Sequence, residues 1–292
     1  MKRDALEVLR ARIFAALAHG DEEKAQNGIA ELQAYEPAEA AGLRTALHIE
    51  AGHADEAFAA WQQRAALAPN DPYTIFLRAR IHVMENERIC ALALLAPLLQ
   101  QRLPAAVAEK AYNLAGQCAR FLGRAAEAVH YYAQARDAVE ELSLRALNAS
   151  NVLFNRHYLP ASLAEDRRAA EEYGALFADV RPFTHEKHNR SGERRLRIGY
   201  LSPDVREHVV LSFSHALMTA LDPARLEVFV YAMNRADSFT EKVRNTVDVF
   251  RNLSQLSAEE AARSIYRDGI DILVDLAGHT AGRTLPILAY RP

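Results

Sequence analysis

Gly52-His53-Ala54-Asp55-Glu56-Ala57 decides how the first half of this chain is read, because the same grammar returns as Gly123-Arg124-Ala125-Ala126-Glu127-Ala128. In both, a glycine stands where one helix has to stop. An alanine five residues on stands where the next helix packs closely. Working outward, the pattern recurs as Gly20/Ala25 and, with asparagine in the turn, as Asn86/Ala91, so that successive turn residues are 32, 34 and 37 positions apart. Four residues after each alanine comes a large apolar side chain, Ile29, Trp61, Leu95 or Tyr132, one helical turn further along the same face. The pattern predicts four antiparallel helical hairpins that share one apolar face.

Periods near 34 are those of tetratricopeptide repeats. Leu114-Ala115-Gly116 supplies the small residue expected on the first helix of the fourth hairpin, with Thr45 and Ala79 as weaker counterparts in the second and third. Pro37 and Pro69 follow Ala25 and Ala57 by twelve residues and are expected to stop the second helix of each hairpin. Residues 1–141 therefore read as the repeat array. Residues 142–178 lack the turn motif and read as capping and connecting helices. Such arrays usually offer a concave surface to a protein or extended peptide, although a plain scaffold is the other reading.

A chain of 292 residues is long enough for two folding units. Half of it is hydrophobic, a quarter is charged, and the net charge is -3, so bulk charge points neither to disorder nor to nucleic acid. Met1-Lys2-Arg3-Asp4-Ala5-Leu6 runs straight into an amphipathic pattern. With no signal core and no apolar run of bilayer length, the expected location is cytoplasmic and without membrane contact. Cys90 and Cys118 sit inside predicted helices and read as small buried thiols. Neither a metal nor a redox cofactor is expected.

From residue 179 to 195 the apolar period is lost, and Pro182, Thr184-His185-Glu186-Lys187-His188-Asn189 and Ser191-Gly192 form a polar linker. Its two histidines are three apart in a linker, unlike the four-residue helical spacing of the zinc metalloprotease motif. Arg190, Arg194, Arg195 and Arg197 make a basic cluster that reads as a solvated hinge or, just ahead of a strand, as a phosphate contact. Beyond it the period changes. Residues 196–201, 226–231 and 270–276 are β-rich runs, separated by helix signals over 209–221, 238–250 and 258–267. Nearly continuous apolar strands alternating with helices predict a parallel α/β sheet covered on both faces. Ligands of such sheets sit at the carboxyl ends of the strands, where Ser202 to His208 and Gly278-His279-Thr280-Ala281-Gly282-Arg283 form polar loops. Gly278, His279 and Thr280 are therefore candidate substrate-binding residues. No GxGxxG or Walker motif occurs, which disfavours a dinucleotide oxidoreductase or a P-loop enzyme.

Leu196-Arg197-Ile198-Gly199-Tyr200-Leu201-Ser202-Pro203-Asp204 with His208, then Glu227-Val228-Phe229-Val230-Tyr231, then Asp268-Gly269-Ile270-Asp271-Ile272-Leu273-Val274-Asp275-Leu276-Ala277-Gly278-His279-Thr280 and Leu288-Ala289-Tyr290-Arg291-Pro292 together resemble the start of the catalytic region of the protein O-GlcNAc transferase (SPINDLY-like) family. That family also carries tetratricopeptide repeats in front of a two-lobed GT-B fold. The resemblance implies a helical solenoid followed by an incomplete, Rossmann-like GT-B lobe over 196–292. It implies inverting transfer of N-acetylglucosamine from UDP-GlcNAc to a protein Ser or Thr hydroxyl, with the repeats holding the acceptor and no metal taking part. The family's Asp and His of the first loop fall on Asp204 and His208, which become the catalytic candidates. An attacking hydroxyl needs a proton acceptor within hydrogen-bond reach, and a carboxylate or imidazole supplies one. Where animal-type members follow this His with Pro-Thr, the chain has Val209-Val210. The family continues past the position of Pro292, so the lobe is expected to be truncated and the chain alone inactive. Two other readings stand beside this one. One is a protein-binding repeat module without catalysis, and the other is a scaffold whose arrays pair into a homodimer.

Overall fold

The computed structural model describes residues 3–19, 21–186, 193–280 and 283–292. They fold as a mostly helical chain with one small parallel sheet, dividing into two compact units between Glu140 and Glu141.

The first unit is a run of helices: α1 (Arg3–His19), α2 (Glu22–Leu32), α3 (Pro37–Ala51), α4 (Ala54–Leu67), α5 (Pro72–Met84), α6 (Arg88–Leu99), α7 (Ala105–Phe121) and α8 (Ala125–Asp137). The turn residues do what their type allows. Gly52, Asn86 and Gly123 have φ of 78°, 63° and 73°, the left-handed region that glycine enters freely and asparagine tolerates. Each turn closes with one long backbone bond, His53 N to His48 O at 2.9 Å, Glu87 N to His82 O at 2.7 Å, and Arg124 N to Ala119 O at 2.9 Å. These bonds occupy carbonyls that the helix end leaves without partners. Asp21 N donates to Ala16 O at 2.9 Å in the same way, while Gly20 lies outside the described residues.

Ala25, Ala57, Ala91 and Ala128 are fully buried, as are Ile29, Leu95 and Tyr132. Trp61 is half-buried against the same core and donates its indole N–H to Thr74 O at 2.9 Å. Gly116 lets α7 approach the Tyr132 ring of α8, where an added Cβ would meet ring carbons at 2.9 Å. Pro69 follows the C-cap of α4, which ends at Leu67 as expected, whereas Pro37 acts differently. Helix α2 ends at Leu32, ahead of Pro37, which instead opens α3 as Pro72 opens α5. A first-turn amide has no intrahelical acceptor, so proline loses nothing there. Cys118 is buried as expected, and burial pushes its thiol up to about 11. Cys90, on the outer side of α6, is exposed.

The second unit opens with α9 (Leu142–Arg156) and α10 (Leu163–Ala175) and continues into the sheet. Strands β1 (Leu196–Ser202), β2 (Leu226–Ala232), β3 (Val249–Asn252) and β4 (Ile272–Asp275) are all parallel, in the order β3-β2-β1-β4. The predicted helix over 238–250 is shorter. Helix α12 (Ser238–Arg244) stops early, and 249–252 becomes the fourth strand, alongside β2. Successive residues of the inner strands serve opposite faces. Tyr200, Val228 and Val230 pack under α11 (Val209–Thr219) and α12, with Leu211, Met218 and Val243. Leu201, Phe229 and Tyr231 pack under α13 (Ala258–Asp268) and α14 (Leu285–Leu288), with Ala262, Ile265 and Ile287. The connection from β1 runs to β2 on one side, and the chain later returns to β1's other side as β4. That reversal is a topological switch point at the carboxyl ends of β1 and β4, the usual ligand position in such sheets.

Candidate functional site

Both sequence-predicted loops leave the sheet at this switch point. Leu201 is paired with Asp275 in the β1–β4 register, and Leu276 N donates to Leu201 O at 3.0 Å. The loops after β1 and β4 therefore start side by side.

The first loop holds Asp204 and His208. Ser202 Oγ accepts from Asp204 N at 3.1 Å, turning the chain sharply off the strand. Asp204 is largely covered, and its Oδ1 takes an ion pair from Arg206 at 3.2 Å. His208 Nδ1 lies 3.6 Å from the same Oδ1. His208 is also the N-cap of α11, its Nδ1 accepting from Val210 N at 3.3 Å. Beside it opens a cavity of about 650 Å³ whose walls include His208, Ser212, His215, Phe239 and Lys242. The Lys242 ammonium lies 4.5 Å from the Phe239 ring centre, so this wall offers cationic and aromatic surface together.

What fixes this loop escaped the sequence reading. Val205 is buried, and its carbonyl accepts from Thr240 Oγ1 at 2.6 Å and from Asn234 Nδ2 at 3.0 Å. Asp237 caps α12 and also accepts from Glu207 N at 2.8 Å. Those backbone bonds, from Glu207 first and then Thr240, hold the Asp237 carboxyl below the usual carboxylate range. Asn234, Asp237 and Thr240 thus clamp the loop from the neighbouring strand end. A polar triplet after a β-strand was the only signal for them in the sequence.

The second loop is shaped by Asp275, whose carboxylate accepts from Ala277 N at 3.1 Å and Gly278 N at 2.9 Å. Gly278 has φ 53°, and Thr280 Oγ1 bonds back to Ala277 O at 2.7 Å. His279 turns toward α9 and α10 of the same unit. Its Nδ1 lies 2.8 Å from Ser150 Oγ, and its ring meets Tyr173 edge-on at 5.0 Å. Burial, helped by the nearby His157, lowers the His279 pKa and keeps the ring neutral. The structure thus brings Asp204 and His208 together. It sets Gly278, His279 and Thr280 on the adjacent loop with His279 facing the helices, and Ala281 and Gly282 lie outside the described residues.

The linker arginines are at the opposite end of the strands. Arg194 pairs with Asp271 at 2.5 Å, Arg195 with Asp248 at 3.2 Å, and Arg197 with Glu227 at 2.9 Å. These carboxylates already occupy the cluster, which favours a structural role over a phosphate contact; Arg190 lies outside the described residues. Within the linker, His185 bonds to Arg291 O at 2.9 Å, and its partner in the two-histidine pattern, His188, is likewise outside them. No described helix is long and apolar enough to cross a membrane.

Comparison with known proteins agrees with this arrangement. Residues 175–292 match the model of glycosyl transferase family 41. A probable UDP-N-acetylglucosamine–peptide N-acetylglucosaminyltransferase SPINDLY of Arabidopsis thaliana is 35% identical over 130 residues, 42% of this chain and 14% of the relative. A UDP-N-acetylglucosamine–peptide N-acetylglucosaminyltransferase of Caenorhabditis elegans is 38% identical over 102 residues, 34% of this chain and 9% of that one. Among solved structures, a mutant O-GlcNAc transferase of Thermobaculum terrenum aligns over 100% of this chain and 50% of its own, with a TM-score of 0.57 and 23% identity, a likeness of fold. The chain therefore spans a small part of these two curated relatives and half of that solved structure.

Proposed function

We propose, from the match of residues 175–292 to the model of glycosyl transferase family 41, that this chain is part of an enzyme moving N-acetylglucosamine from UDP-GlcNAc to a protein Ser or Thr hydroxyl. The observation that carries the reading is the first loop, where Asp204 and His208 stand 3.6 Å apart at the β1/β4 switch point, with an open cavity beside His208. The acceptor oxygen attacks the anomeric carbon from the face opposite the leaving group. A new C–O bond forms, the bond to the UDP phosphate breaks, and the hydroxyl proton passes to the imidazole of His208. Asp204 orients that ring and offsets the charge it gains. The hairpin array presents the acceptor polypeptide, the usual task of stacked helical repeats.

The test is transfer from labelled UDP-GlcNAc to a peptide pool, read by mass spectrometry, using the natural gene product that contains these residues. Addition of one N-acetylhexosamine is expected, with loss of the product in His208→Asn. A folded gene product that modifies no peptide, and that binds no UDP-GlcNAc in calorimetry, would leave the peptide-binding and scaffold readings.

A further inference from the structure

The turn of the third hairpin carries a group of side chains that the transferase reading does not use. His82 lies in the last turn of α5, Glu85 and Glu87 flank the left-handed Asn86, and Cys90 lies in the first turn of α6. His82, Glu87 and Cys90 offer three ligand atoms within 4.8 Å of one another. His82 Nδ1 is 2.7 Å from Glu87 Oε2 and 3.4 Å from Glu85 Oε2. We propose that this turn is a divalent transition-metal site, with zinc as the fitting ion, held by His82 Nδ1, Glu87, the Cys90 thiolate and Glu85 or water.

The donor set argues for the ion. Imidazole, thiolate and carboxylate together suit Zn²⁺, whereas Mg²⁺ and Ca²⁺ take oxygen donors. Two N or O ligands of a tetrahedral zinc stand about 3.3 Å apart. The Glu85 contact already has that separation. The Glu87 contact, which shares a proton with the imidazole, opens by about 0.6 Å when a cation takes the proton's place. Glu87 and Cys90 are exposed and His82 is mostly covered, so two adaptable ligands close on one fixed ligand. The backbone holds the register of the four positions through the Glu87 N to His82 O bond. Of the two neighbouring arginines, one points away from the three ligand atoms and the other reaches only Glu85, the ligand that water can replace. Arg88 turns to Asn86 Oδ1 and to the Phe121 ring, 4.4 Å away, and Arg78 lies 3.9 Å from the Glu85 carboxylate. Binding joins the end of α5 to the start of α6; the Cys90 proton goes to solvent, and the proton displaced from His82 Nδ1 is exchanged through solvent for one on Nε2.

The experiment is calorimetric titration of the untagged, metal-stripped 292-residue chain with Zn²⁺, alongside absorption spectra with Co²⁺. One equivalent of zinc is expected, with a thiolate-to-cobalt charge-transfer band. Loss of even an outer-shell partner weakens metal sites about 10- to 100-fold, so Cys90→Ser and Glu87→Gln lower the affinity at least that much. Both positions are exposed, and circular dichroism confirms that the variants fold. Cys118→Ala leaves binding unchanged. No stoichiometric zinc overturns the proposal. So does zinc bound equally well by Cys90→Ser, or cobalt bound without the thiolate band.

Discussion

His208 Nδ1 stands between two partners that want opposite things of it, the Val210 amide at 3.3 Å and the Asp204 carboxylate at 3.6 Å. Accepting from Val210 requires Nδ1 to be bare, which puts the ring proton on Nε2. Donating to Asp204 requires the proton on Nδ1, which frees Nε2 to take a proton. Only the second tautomer is a general base at Nε2, so the proposed mechanism requires Nδ1 to release the Val210 amide and donate to Asp204 once substrates are bound. Asp204→Asn is therefore expected to lower kcat of the gene product about 10²- to 10⁴-fold, the usual range for a lost base. Adding His208→Asn to it costs little more, because the two act as one unit. Asparagine is a good N-cap and preserves α11, so an unchanged melting curve with lost transfer separates chemistry from folding.

Thr240 holds this loop from outside it. Its hydroxyl donates to Val205 O at 2.6 Å from a fully buried position. Thr240→Val removes that donor but leaves Asn234 on the same carbonyl, so the expected loss in urea denaturation is about 1–2 kcal/mol. Transfer falls further than stability does, because a displacement of about 1 Å at a reacting group costs on the order of a hundredfold. Thr240→Ser keeps the hydroxyl and restores kcat. A Val variant with normal kcat would deny the loop clamp.

The hairpins were legible because their turns obey a steric rule that few residues satisfy. Gly52, Gly123 and Asn86 all enter the left-handed region, and the buried alanine five positions later repeats with them. Strands β1, β2 and β4 were legible as apolar runs. Strand β3 was not, since Val249-Phe250-Arg251-Asn252 is four residues long, lies at the edge beside β2 among the described strands, and follows a helix whose signal overran it. Asp204 and His208 came from likeness to a family rather than from spacing. Asn234, Asp237 and Thr240 stayed hidden because their role depends on contacts across some thirty residues of chain, such as Thr240 to Val205. Cys90 was misread as buried because helix membership alone does not say which side of the helix a residue faces.

His279 ties the second loop to α9, and its proton affinity makes that tie sensitive to acid. Burial lowers its pKa from the ordinary 6.5, so below that value the unfolded chain binds a proton that the folded chain refuses. Stability contributed here is complete above about 6.5 and falls as the pH drops toward the folded pKa. Urea midpoints measured from about pH 7.5 to 5 should therefore decline more steeply in the native chain than in His279→Gln. The difference between the two curves isolates this ring, because every other histidine is common to both. Equal slopes would place His279 in water rather than against Ser150 and Tyr173.

One substitution made at two glycines should change stability in opposite directions. Glycine inside a helix costs about 1 kcal/mol relative to alanine, so an added methyl helps wherever there is room for it. Gly174, on α10, has nothing within 4 Å of its missing Cβ; Gly174→Ala is expected to stabilise by about 0.5–1 kcal/mol. Gly116 faces the Tyr132 ring at 2.9 Å, and that ring is buried with nowhere to retreat. Overpacking of this kind costs about 1–3 kcal/mol, which outweighs the helix gain, so Gly116→Ala lowers the midpoint of thermal unfolding. Tyr132→Leu removes ring atoms from the contact and should recover part of the loss when combined with Gly116→Ala, although it is destabilising by itself. That non-additivity is the signature of direct contact, and strictly additive effects would mean that α7 and α8 do not meet at these two residues.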